Sequence, residues 1–68
     1  MLNLSEKEII NNAFKMALEH ESYRQAKYAF LARSVRDKTL REMFATYAVS
    51  CRRHMAMIQT EMKNMNIH

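Results

Sequence analysis

Glu21, Cys51 and His54 are the residues whose types could act together chemically. A carboxylate, a thiol and an imidazole form a ligand list suited to zinc or iron, and a twofold dimer would double it. Cys51 and His54 are three residues apart, so a helix presents both to one side. Two other readings stand beside this one. In the simpler, Glu21 pairs with Arg24 or His54, Cys51 fills space as a small apolar group, and nothing binds. In the other, Cys51 is a nucleophile, which needs a base, an orienting group and a donor-lined cavity; a small helical interior supplies at most the first.

Whatever these groups do, two long helices must position them. The 68 residues contain no Gly and no Pro, and without those turn formers and helix breakers few turns can exist. Ser5 and Glu8 have capping-box spacing, with Leu4 and Ile9 at the positions of a hydrophobic staple. From there Ile10, Phe14, Ala17, Glu21, Arg24, Tyr28, Leu31 and Val35 follow steps of four and three, the spacing of one helix face. The pattern resets near 34–37, where Asp37 is a candidate N-cap and Thr39 with Glu42 an alternative capping box. A second run follows through Leu40, Phe44, Tyr47, Cys51, His54, Ile58, Glu61 and Met65, widened by Met43, Ala48, Met55 and Met62. The fold expected is all-α: one domain over residues 1–68, with a helix over 5–35, a turn over 35–37 and a helix over 38–65, closed as a two-helix antiparallel hairpin. With the turn centred near residues 36 and 37, positions whose numbers sum to about 73 face each other. That register sets Glu21 opposite Arg52, beside Cys51 and His54.

A composition of 49% hydrophobic and 26% charged residues is that of a folding chain. At this length, however, one core barely offsets a chain entropy of about 1.5 kcal/mol per ordered residue. Cys51 is the only cysteine, which excludes an internal disulfide and suggests a reducing compartment. Help must then come from a metal or a second copy. Two helices side by side leave the outer edges of both apolar stripes wet, and the economical cover is a homodimer forming a four-helix bundle. Phe14, Tyr28, Leu31, Phe44, Tyr47 and Ile58 are the expected dimer core. A Cys51 bridge across the twofold is one variant of that arrangement.

Several classes of function are not expected. A net charge of +4 allows weak attraction to polyanions, and Arg33, Arg36, Lys38 and Arg41 gather about the turn. No helix-turn-helix spacing, Gly hinge or aromatic platform accompanies them, so a solvated basic face is expected and nucleic acid is not. The opening MLNLSEKEIINN has no basic segment followed by an apolar run, and no stretch approaches the roughly 18 apolar residues of a span. Neither secretion by that route nor a membrane partner is expected. The seven methionines read as core, and Tyr23, Tyr28 and Tyr47 as packed rings with wet hydroxyls.

The stretch from Glu21 to Ala32, followed by Ala48-Val49-Ser50-Cys51-Arg52-Arg53-His54, resembles the first helical hairpin of rubrerythrin-type ferritin-like proteins. In that family a glutamate on one helix and a Glu-x-x-His turn on the next supply half of a di-iron site, and two hairpins make the bundle. The resemblance puts Glu21 and His54 at ligand positions, with Cys51 where the second glutamate would stand, so ferroxidase-type activity is not expected. Leu4 to Ile9, Leu40-Arg41, His54, Met57-Ile58 and Glu61-Met62 are also similar to the spore coat protein F family of endospore-forming bacteria. The departure from that family is the ending Asn64 to His68, which lacks Gly and Tyr. This second resemblance implies a non-enzymatic structural protein that self-associates and contacts other coat proteins, in the cytoplasm or the spore coat, with no cofactor. The alternative is a dimer holding zinc or iron through Glu21, Cys51 and His54 of each chain.

Overall fold

A computed structural model describes residues 3–65; of the divergent ending 64–68, residues 66–68 lie outside them. The described residues form two helices, α1 (Leu4–Ser34) and α2 (Lys38–Asn64), packed against each other as an antiparallel hairpin with Cα extents of 51 × 15 × 13 Å. The all-α hairpin expected from the apolar spacing is the fold found.

The start of α1 differs from the sequence expectation. Asn3 is the N-cap: its Oδ1 accepts from the Glu6 amide at 2.8 Å, and its Nδ2 donates to Glu6 Oε1 at 2.9 Å. Ser5 therefore lies inside the first turn and Glu8 just beyond it, and Leu4 and Ile9 are both exposed, so no staple covers the cap. Asn is as good a cap as Ser, and starting two residues earlier adds helical hydrogen bonds without cost.

The reversal needs no special backbone. Val35 leaves α1 in an extended conformation (φ −85°, ψ 148°) while its amide still donates to Leu31 O at 3.0 Å. Asp37, also extended, accepts from the Leu40 amide at 2.8 Å and starts α2, so the alternative cap at Thr39 is not used. Both conformations are open to any L-residue, which is why a chain without glycine can turn here.

The seam is filled unequally. Along α1 the eight residues from Ile10 to Val35 named above are all half-buried, and none is fully buried. In α2 the fully buried residues are Ala48, Cys51 and Met62. Leu40, Tyr47, His54 and Glu61 fall on its exposed edge. The contact line of α2 is thus rotated from the expected one toward Ala48, Met55 and Met62, because small Ala48 and Cys51 let the helices approach closely. Near the turn an aromatic cluster closes the hairpin. Tyr28 stacks on Phe44 at 6.2 Å and meets Tyr47 edge-on at 5.3 Å, both between ring centroids.

Candidate functional site

α1 brings Glu21 and Arg24 to the seam one turn apart, and α2 brings Cys51 and His54 to the same level. The Glu21 side chain is only 13% exposed, and both its oxygens are engaged. Arg24 Nη1 donates to Oε1 at 3.1 Å, and His54 Nδ1 lies 3.2 Å from Oε2, where an N–H on that nitrogen donates. Cys51, at 2% exposure the most buried of the described residues, sits against the same carboxylate. Arg52 is exposed and does not face Glu21 as the register had predicted. Observed pairs across the hairpin sum to between 72 and 75, and Arg52 lies one residue, about 100° of helix, from Cys51 on the solvent side.

Burial pushes the Glu21 carboxyl up, but hydrogen bonds with His54 and Cys51 and the charge of Arg24 together outweigh it. The carboxyl is held below its ordinary value and is ionised at neutral pH. Burial pushes the Cys51 thiol the other way, up, and its hydrogen bond to Glu21 and the negative charge there add to the rise. A buried thiol that resists ionisation beside a carboxylate is a poor nucleophile. The arrangement is chemically quiet: an anion paired with a guanidinium and in contact with an imidazole nitrogen, with a neutral thiol as filler.

Beside this cluster runs an open groove of about 390 Å³, lined by Ala17, His20, Glu21, His54, Met57 and Ile58. His20 escaped the sequence reading because it lies outside the principal apolar spacing, whereas Met57, expected with the other methionines in the core, is 66% exposed at the edge of the groove. Met16 and Met43 are likewise exposed, because each of the three lies to one side of the contact line between the helices. Of the expected dimer core, Phe14, Tyr28, Leu31, Phe44 and Ile58 are half-buried and Tyr47 is exposed. Arg24 and Lys27 approach the Tyr28 ring, 5.9 and 5.7 Å from its centroid. The basic residues about the turn, Arg33, Arg36, Lys38 and Arg41, are all exposed.

Glu21 thus meets both Cys51 and His54, the three residues read as metal ligands. Within one chain, however, the described residues contain no group of three or more His, Cys, Asp or Glu side chains placed to hold a metal ion. Among them, too, no helix is long and apolar enough to cross a membrane. The chain matches no protein-family model, no curated protein and no solved structure.

Proposed function

We propose that this chain is a non-enzymatic structural protein that works by self-association, the hairpin being one half of a four-helix bundle. The role envisaged is that of the spore coat proteins it resembles, with other coat proteins as further contacts. One observation carries the reading. The chain exposes 5485 Å², whereas a compact monomer of 8.1 kDa exposes about 4,500 Å². The excess of about 1,000 Å² is comparable to the roughly 800 Å² that each partner buries in a stable interface. The quiet chemistry of the Glu21 cluster also favours a structural role over catalysis.

Native mass spectrometry of protein purified without chelator or affinity metal tests this, paired with melting curves across a hundredfold range of concentration. A dimer whose melting temperature rises with concentration is the expected result. A monomer at micromolar concentration with a concentration-independent melt would overturn it. The same spectrum addresses the second reading, favoured by the meeting of Glu21 with Cys51 and His54. In it, two chains pool these side chains around zinc or iron. Stoichiometric metal lost in the His54→Ala variant would establish that reading, and a metal-free dimer would remove it.

A further inference from the structure

α1 carries a second apolar ladder that its contact with α2 does not cover. Ile9, Met16, Tyr23 and Phe30 recur at intervals of seven and are 68%, 69%, 71% and 59% exposed. Each of the last three lies two residues beyond a seam residue (Phe14, Glu21, Tyr28), about 160° around the helix from it. Ala13, His20 and Lys27 fall between the four, giving the alternating steps of four and three that a packing helix presents. α2 has a matching ladder: Met43, Ser50 and Met57 at intervals of seven, with Tyr47 and His54 between them. Met57 is 66% exposed. The two ladders border one groove, for His20 comes from the first and His54 and Met57 from the second. A hairpin seated over that groove touches both at once.

Resting on the self-association proposed above, we infer that the occupant is a second copy related by a twofold axis running along the hairpin, so that α1 packs beside the partner's α2. Rotation about such an axis leaves every residue at its own height. The register between copies is therefore the register within the hairpin, where facing positions sum to between 72 and 75. Applied to the ladders, it sets Met16 against the partner's Met57 and Phe30 against the partner's Met43. Tyr23 then meets the small partner's Ser50, and Lys27 the ring of the partner's Tyr47, a cation–π contact. His20 meets the partner's His54. Met16 and Phe30 thus fall on large apolar groups in the register that the hairpin itself sets.

The alternative twofold, across the hairpin, packs each helix on its own copy. Its height along the hairpin is free, and one setting opposes Met16 to the partner's Phe30 on α1 and Met43 to the partner's Met57 on α2. The lengthwise axis, by contrast, takes its register from the hairpin itself.

Disulfide trapping between separately prepared variants tests the register. Met16→Cys chains mixed with Met57→Cys chains and mildly oxidised should give a covalent heterodimer, at least tenfold faster than either variant links to itself. Cys51 is present in every sample, so the single-variant controls absorb its contribution. Linkage in a Met43→Cys and Met57→Cys mixture but not in the first would overturn the lengthwise axis in favour of the crosswise one. Linkage in neither mixture, with the dimer mass intact, would overturn the docking and leave self-association standing. A monomeric mass would overturn both.

Discussion

The two helices of this hairpin solve different packing problems. α2 is the more one-sided: it supplies the fully buried Ala48, Cys51 and Met62, although Met43, Tyr47 and Met57 stay exposed beside that face. α1 buries no residue fully and spreads its apolar side chains over two faces, so its amphipathic character largely cancels although it is the longer helix. A helix with a buried face is anchored by one partner, whereas apolar side chains on a second face are left uncovered by it. α2 anchors the hairpin, and α1 carries the more exposed of the two outer ladders.

Paired truncations are the sharpest way to break that contrast. Full burial makes Phe→Ala cost about 3–5 kcal/mol, so half-buried Phe44, stacked on Tyr28, should lose about 2–3 kcal/mol on replacement by Ala. Thermal unfolding followed by circular dichroism should then fall by about 10–20 °C. The same truncation at Phe30, on the outer ladder, should stay within about 0.5 kcal/mol of the parent at dilutions where the chain is monomeric. Equal losses would erase the distinction between the two faces.

A smaller effect is expected at Asn11, whose Oδ1 is buried without a hydrogen-bond partner. An unsatisfied buried acceptor costs about 1–3 kcal/mol. Asn11→Leu should therefore raise the melting temperature, and a fall would show that the amide is satisfied in solution.

The mildest test uses pH. Because the folded state holds the Glu21 carboxyl below its ordinary value, it contributes stability at neutral pH. That contribution is lost as pH falls through the ordinary carboxylate range toward the folded value. Glu21→Gln should flatten this acid limb in a series of melts. An unchanged acid limb would mean that the Arg24 and His54 contacts are energetically idle.

Much of the fold was legible because helix periodicity is a strong signal in a chain without Gly or Pro. Ile10, Phe14, Ala17, Glu21, Arg24, Tyr28, Leu31 and Val35 all line the seam as their spacing predicts. Asp37 caps α2 because an acceptor two residues past the last apolar position of α1 has one obvious amide to serve. The rotation of α2 was not legible, since its stripe is wide and width does not say which column comes closest to the partner. That choice belongs to the sizes of Ala48 and Cys51. The displacement of Arg52 has the same origin, because a register error of one or two residues turns a side chain by a large part of the helix circumference. At the cluster itself, the pairing of Glu21 with Arg24 follows from their spacing on one helix, whereas its contact with His54 needed the register. The outer ladder at Ile9, Met16, Tyr23 and Phe30 is plain in the spacing, but only the packed hairpin shows that α2 leaves it uncovered.

A body whose Cα trace measures 15 by 13 Å across is two helices wide and one helix deep. Bulk water lies within a few ångströms of nearly every atom, so the dielectric felt by Glu21, Arg24 and His54 is that of a wetted surface. Charges there are screened, and an ion pair in such surroundings contributes little energy. Strong polarisation of a bound group, or shelter for a reactive intermediate, requires a dry enclosure. A lone hairpin has none, so any such enclosure must come into being when copies assemble around the groove.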